Sequence, residues 1–175
     1  LKHVGRSLNG LRVSVSGSGN VAQFAVEKAM ALGAKVVTVS DSSGVVVDED
    51  GFTPEKLAIL SEIKNVQYGR VDEYAKQVNA EFLKGQNPWH VPVDVALPCA
   101  TQNELNGEDA QTLVKNGVIC VAEGANMPST IDAVNCFEQN KVLYAPGKAS
   151  NAGGVATSGL EMSQNATRLS WTHEE

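Results

Sequence analysis

An α/β fold, with a mostly parallel sheet covered by helices on both faces, is predicted by three features of this 175-residue chain. Short apolar runs alternate with helical patterns, which is the rhythm of βαβ units. A glycine turn, Gly17-Ser18-Gly19-Asn20-Val21-Ala22, joins the first run to the first helix. Small and polar residues gather just after the runs, where an open α/β sheet keeps its ligand crevice.

The elements follow in order. Residues 7–10 are a polar lead-in ending in the turn signal Asn9-Gly10. Leu11, Val13 and Val15 alternate as a first strand, and residues 21–32 form a helix that Gly33 can cap. Residues 35–40 are a second strand, 41–44 a turn, 45–47 a short strand and 48–51 another turn. Thr53 is an N-cap and Pro54 the first helical residue of a helix reaching Lys64. Its apolar positions are Leu57, Ile59, Leu60 and Ile63. Residues 71–78 form a second short helix, 81–83 a short strand and 85–89 a loop, with Trp89 plugging the edge of the core. The second half repeats one unit: strand 93–97, helix 103–117, strand 118–122, helix 129–139, strand 142–144, and a last helix from 154 to 169.

Composition narrows the class. Hydrophobic residues make up 42% and charged residues 19%, as in a soluble globular domain with its own core. The net charge of −6 argues against nucleic acid or an anionic membrane as partner. No apolar run is long enough for a bilayer, and no signal peptide is recognisable. Cys99, Cys120 and Cys136 are odd in number and lack a CxxC, so free thiols in a reducing cytosol are expected. The three histidines have no metal-ligand spacing, and no metal is expected. The chain opens at Leu1 and stops at Glu175 just after a helical pattern, so a fragment of a longer polypeptide is expected.

The glycine turn carries the chemistry. Gly17-x-Gly19-x-x-Ala22 matches the dinucleotide fingerprint with Ala in the third position. Gly17 permits the sharp turn, Gly19 lets a pyrophosphate approach the backbone, and Ala22 allows close helix–strand packing. The helix start offers free N–H groups and partial positive charge. Asp41, 24 residues after Gly17, stands where such folds read the ribose. An ordinary βαβ turn without a ligand is the alternative. Further clusters follow at residues 99–103, 123–126 and 148–154. They are rich in amides, which suit a carboxamide-bearing nicotinamide, and Asn126 and Asn151 are the best placed; a turn-forming role is the alternative for each.

Taken together, these stretches resemble the cofactor domain of glutamate dehydrogenases, in the Glu/Leu/Phe/Val dehydrogenase superfamily. The resemblance is carried by Ser16-Gly17-Ser18-Gly19-Asn20-Val21-Ala22, Ser40-Asp41-Ser42-Ser43-Gly44, Leu97-Pro98-Cys99-Ala100-Thr101-Gln102-Asn103-Glu104 and Ala122-Glu123-Gly124-Ala125-Asn126-Met127-Pro128. It continues through Pro146-Gly147-Lys148-Ala149-Ser150-Asn151-Ala152-Gly153-Gly154-Val155 and Ser158-Gly159-Leu160-Glu161-Met162-Ser163-Gln164-Asn165. It covers essentially the whole chain.

The resemblance implies a Rossmann-like domain over residues 1–175 with one antiparallel strand, either near residues 45–47 or near 81–83. It implies reversible oxidative deamination of L-glutamate to 2-oxoglutarate and ammonia, with hydride transfer to NADP or NAD. By position, Gly17, Ser18, Gly19, Asn20 and Val21 meet the pyrophosphate, and Asp41 and Ser42 the adenosine ribose. Ala100, Thr101 and Gln102 line the adenine–ribose side, and Gly124, Asn126 and Asn151 the nicotinamide half. Val155 and Ser158 meet the substrate side chain. Relatives acting on leucine or phenylalanine carry an apolar residue where Ser158 stands. A hydroxyl bonded back to its own helix is the alternative for Ser158.

The cofactor stays open on chemistry. An acid after the second strand favours NAD, and no Arg or Lys lies between Lys35 and Lys56 to welcome a 2′-phosphate. The Ser40–Gly44 segment nevertheless resembles NADP-preferring bacterial-type enzymes, with Ser42 on the phosphate helped by a Lys from the other domain, and this favours NADP. The catalytic Lys and Asp of the family belong to an N-terminal domain absent from this sequence. The fragment is therefore expected to bind a dinucleotide without turning over glutamate, and to be monomeric or weakly associated where the full-length protein is a homo-hexamer. A cytoplasmic location is expected. Two rival readings remain: a dehydrogenase of an apolar amino acid, and a free-standing dinucleotide-binding sensor module.

Overall fold

A computed structural model describes residues 1–172. Seven strands form one sheet in the order β4-β3-β2-β1-β5-β6-β7. They are β1 (Arg12–Val15), β2 (Lys35–Asp41), β3 (Gly44–Val47), β4 (Glu81–Lys84), β5 (Val95–Leu97), β6 (Cys120–Ala122) and β7 (Leu143–Ala145). The helices are α1 (Asn20–Ala31), α2 (Pro54–Ser61), α3 (Val71–Val78), α4 (Gly107–Lys115), α5 (Ile131–Gln139), α6 (Gly147–Ser150) and α7 (Ala152–Thr167).

Strands β2, β1, β5, β6 and β7 pair in parallel, while β3 runs antiparallel to both β2 and β4. The reversed strand is therefore the one at residues 45–47. The cause is local. Asp41 pairs with Gly44 across a turn of only Ser42 and Ser43, and two residues can close a hairpin but cannot cross over a sheet face. The longer path through α2 and α3 then brings β4 back in the common direction.

Successive strand residues serve opposite faces. Val36, Val39 and Val46 join a core under α1, α2 and α3, together with Leu60, Ile63 and Tyr74. Val37, Val45 and Ala96 join a second core under α4 and α5, with Trp89, Leu113 and Phe137. This is why β2 reads as a near-continuous β-branched run: both of its faces are covered. Trp89 is fully buried, and its indole N–H donates to the carbonyl of Glu104 at 3.3 Å.

Two boundaries differ from the sequence expectation. Helix α4 begins at Gly107 rather than Asn103, because the Asn106 side chain accepts from the Glu108 and Asp109 amides, at 2.9 and 3.0 Å, and fixes the start there. Residues 103–105 are used differently: Asn103 is left-handed, with φ 56°, and Leu105 bridges to Ser129. The last helix, expected from 154 to 169, runs as α7 over Ala152–Thr167, and the four-residue α6 precedes it, the two meeting at Asn151.

Candidate functional site

Parallel β1, β2, β5, β6 and β7 all end on the same edge of the sheet, so the five clusters read from the sequence leave it together. Between three of them, the glycine turn, the Asp41 turn and the segment after β5, lies a cleft of about 530 Å³, and no residue of 123–126 or 148–154 lines it. Its walls are residues 17–21, 40–42, Ala100, Thr101 and Glu104, with Gln86, Asn87 and Pro88 closing one side. The last three were missed as site residues; they qualify because β4 also ends on this edge. A larger groove of about 830 Å³ between α1 and α2 shares only Asn20 with the cleft and holds neither Gly17 nor Gly19.

The turn is built by its serines. Gly17 donates to Ser40 Oγ at 2.9 Å, and the Cys99 amide to Ser16 Oγ at 2.8 Å, so hydroxyls from β2 and the end of β1 tie three strand ends together. Gly17 has φ +80°, and a Cβ there would stand 3.0 Å from the Cys99 carbonyl and 3.1 Å from Ala100 Cα. Gly19 differs. Its φ is −80°, and a Cβ would meet nothing within 4 Å, because this position faces the open cleft. It is the N-cap of α1, and no side chain caps that helix. The first-turn amides of Asn20, Val21 and Ala22 lack intrahelical acceptors by geometry, so the cleft ends on a ready anion site. The donors and the unfilled space fit a pyrophosphate.

Asp41 is on the cleft wall, yet its oxygens are turned to the protein. Oδ1 accepts from the Ser43 amide at 2.7 Å and from the Ser43 hydroxyl; Oδ2 accepts from the Val71 amide at 3.1 Å, with Lys64 Nζ at 3.5 Å. Burial pushes its pKa up, but the Ser43 and Val71 hydrogen bonds and the Lys64 charge outweigh that and hold it below the usual carboxylate range. Beside it, Arg70 Nη1 donates to Ser42 Oγ at 2.6 Å. Lys64 and Arg70 lie beyond the 35–56 window in which the sequence reading sought cations. Lys64 reaches Asp41 and Arg70 reaches Ser42 from the α2–α3 connection, so this chain brings cations of its own to that wall. The signal available in the sequence was their place just before α3, next to the hairpin that α3 packs against.

Glu104 accepts from the Ala100 and Thr101 amides at 2.9 and 3.3 Å. Burial raises its pKa against the pull of Ser16 and these amides. Thr101 and Ala100 line the cleft, whereas Gln102 is exposed and lies outside its walls. Burial likewise raises the Cys99 thiol to about 12, so it stays protonated.

Further along the edge, a Cβ on Gly124 would meet Cys99 Sγ at 2.6 Å and Val21 Cγ1 at 3.2 Å. This places the β6–α5 loop directly against the start of α1. Glu123 is 3% exposed; it accepts from Tyr144 Oη at 2.8 Å and from the Gly147 amide at 2.7 Å, and the Ser150 hydroxyl donates to its carbonyl. It is a buried tie between the β6 and β7 loops that the sequence reading passed over. Asn151 Nδ2 donates to the Ala125 carbonyl at 3.2 Å, adding a second tie. Asn126 is exposed next to it. Val155 is 77% exposed on α7, and Ser158 Oγ donates back to the Gly154 carbonyl at 3.2 Å. The cleft thus gathers the glycine turn, Asp41, Ser42, Ala100 and Thr101, whereas Val155 and Ser158 stand on a separate, exposed helix. Among the described residues no group of three His, Cys, Asp or Glu could hold a metal ion, and no helix is long and apolar enough to cross a membrane.

Comparison with known proteins agrees with this geometry. The NADP-specific glutamate dehydrogenases of Salmonella typhimurium and Escherichia coli K12 are 66% and 65% identical over all 175 residues. An NAD(P)-specific glutamate dehydrogenase of Xylanibacter ruminicola is 57% identical. The chain spans 39% of the length of each of these relatives. In three dimensions, a crystal structure of Plasmodium falciparum glutamate dehydrogenase matches 99% of this chain with a TM-score of 0.94 at 48% identity, using 38% of its own length. The family model for Glutamate/Leucine/Phenylalanine/Valine dehydrogenase matches residues 1–175, and the chain belongs to that family.

Proposed function

We propose that this chain is the NADP-binding part of a glutamate dehydrogenase, which interconverts L-glutamate with 2-oxoglutarate and ammonia. The choice of NADP rests on Asp41. An acid after the second strand selects NAD when its oxygens are free for the ribose diol. Here both oxygens are engaged by Ser43, Val71 and Lys64, while Ser42 and Arg70, together with the Lys64 ammonium at Asp41, bring donors and positive charge to the same wall as a 2′-phosphate site. That wall suits a 2′-phosphate, which needs several donors and positive charge. The NADP-specific names of the relatives support the same choice.

NADP supplies the hydride acceptor. The residues of this chain bind and orient it: Gly17, Ser18, Gly19, Asn20 and Val21 at the pyrophosphate, Ala100 and Thr101 at the adenosine side, and Gly124, Asn126 and Asn151 at the nicotinamide half. Gln102, exposed outside the cleft, is the weakest member of that set. Val155 and Ser158 face the substrate side chain, the Ser158 hydroxyl suiting a distal carboxylate once it turns from the Gly154 carbonyl. We place the catalytic Lys and Asp in a segment outside residues 1–175, so residues 1–175 form one cofactor domain without turnover of its own. The full-length protein is read as a cytoplasmic homo-hexamer.

The test is an initial-rate assay of the full-length protein with NADP⁺, offering glutamate, leucine and phenylalanine in turn. Glutamate-dependent reduction is expected, with leucine and phenylalanine slower by about 10⁴-fold or more, the range a site built for a polar group reaches against an apolar one. Faster turnover of leucine or phenylalanine would overturn the substrate. Steady turnover by the 175-residue chain alone would overturn the placement of the catalytic groups.

A further inference from the structure

The two parts of the cleft that hold phosphate come from different segments, and one pair of amides joins them. Gln23, on the first turns of α1, is only 8% exposed. Its Nε2 donates to the Ser18 carbonyl at 2.8 Å and to Asn65 Oδ1 at 3.2 Å, while Asn65 Nδ2 donates back to Gln23 Oε1 at 3.1 Å. Asn65 also donates to Ser61 Oγ at 3.0 Å. The Ser18 carbonyl belongs to the glycine turn, so Gln23 is oriented by the pyrophosphate site and grips Asn65 with both ends of its amide.

Asn65 sits in an unusual segment. After α2, residues Glu62–Val66 form a π-helical turn, closed by the Gln67 amide on the Glu62 carbonyl at 3.1 Å. Such turns are rare and need compensating contacts. In this one, three consecutive side chains go three ways. Ile63 is buried in the core at 1% exposure, Lys64 reaches Asp41 and donates to the Gly69 carbonyl at 2.9 Å, and Asn65 pairs with Gln23. The direction of Lys64 is therefore set by its neighbours on either side. Released from Gln23, the turn can relax toward ordinary α geometry, which swings the residues after Ile63 about the helix axis and carries the ammonium away from Asp41.

We propose that Asn65 is a positioning residue for cofactor selectivity: its paired amide with Gln23 holds Lys64 in register with the glycine turn, so that one ligand spans both phosphate sites. This rests on the reading of Lys64, Ser42 and Arg70 as the 2′-phosphate site. The pairing has a directional consequence. The glycine turn serves NADPH and NADH alike, whereas the Lys64 segment serves only the nucleotide with the 2′-phosphate. Loss of the Asn65 amide penalises NADPH and spares NADH.

The experiment is a fluorescence titration of the full-length protein with NADPH and with NADH, using wild type, Lys64→Ala, Asn65→Ala and the double variant, with thermal melts alongside. Lys64→Ala is expected to weaken NADPH by about tenfold or more, since it removes a charge-assisted contact. Asn65→Ala is expected to weaken NADPH by about three- to tenfold and NADH by less than about twofold, and to add little on top of Lys64→Ala, the signature of residues acting through one another. Equal weakening of both nucleotides by Asn65→Ala, or full additivity with Lys64→Ala, would overturn the positioning role. So would a neutral Asn65→Ala beside a selective Lys64→Ala, and then the cofactor reading stands alone. If Lys64→Ala leaves NADPH binding unchanged, the 2′-phosphate reading falls, and the positioning role falls with it.

Discussion

Gly17→Ala is expected to lower stability by roughly 2–5 kcal/mol and to remove measurable nucleotide binding. Two costs add. Holding an alanine at φ +80° costs about 1–2 kcal/mol, and its methyl group would press on the Cys99 carbonyl at 3.0 Å, an overpacking of about 1–3 kcal/mol. Because the obstacle is backbone on the neighbouring β5 loop, the β1–α1 turn must move, and the anion site moves with it. Gly19→Ala is the informative companion. At φ −80°, with nothing within 4 Å of the new methyl, stability should stay within about 0.5 kcal/mol of wild type. The methyl nevertheless enters the cleft, and nucleotide affinity should fall about tenfold or more. Denaturant melts and NADPH titrations of both variants check this. A Gly19→Ala protein that binds as well as wild type would mean that the turn is structural only.

Glu123→Ala should be the most damaging single change where the β6 and β7 loops meet, at about 3–5 kcal/mol. Removing a buried acceptor strands its donors, here the Tyr144 hydroxyl and the Gly147 amide, at about 1–3 kcal/mol each. The void left by a buried side chain adds to this. Glu123→Gln keeps an acceptor and should cost about half as much or less. Both effects are readable as shifts in the denaturation midpoint. A near-neutral Glu123→Ala would show that the β6 and β7 loops are not held by this carboxylate. Asn151 adds a separate tie to the Ala125 carbonyl, so the β6 and β7 loops are joined at more than one point.

Much of this was legible before any coordinates. The strand and helix rhythm fixed which segments reach the carboxyl edge, and the glycine turn marked where an anion fits. What escaped were choices made by tertiary contact. The reversal of β3 follows from the two-residue turn between Asp41 and Gly44, but pairing across that turn is not visible until β2 and β3 meet. The start of α4 shifted because Glu104 is used on the Ala100 and Thr101 amides, and Asn106 caps in place of Asn103. Lys64 and Arg70 were overlooked because the search for cations stayed close in sequence to Asp41, while the π-helical turn returns residues two dozen positions later to the same wall. Asp41 itself showed its type and place, but not that its oxygens were already engaged. Orientation of a side chain is decided by donors that arrive from elsewhere in the chain.

The account turns on whether Ser42, Lys64 and Arg70 form a 2′-phosphate site. Calorimetric titration of the full-length protein with 2′,5′-ADP and with 5′-ADP tests this directly, since the two differ only in the 2′-phosphate and need no turnover. Tighter binding of 2′,5′-ADP by about tenfold or more, with the advantage shrinking as salt rises, is the predicted result. Equal binding, or preference for 5′-ADP, would contradict the account and return Asp41 to the role of ribose reader in an NAD site.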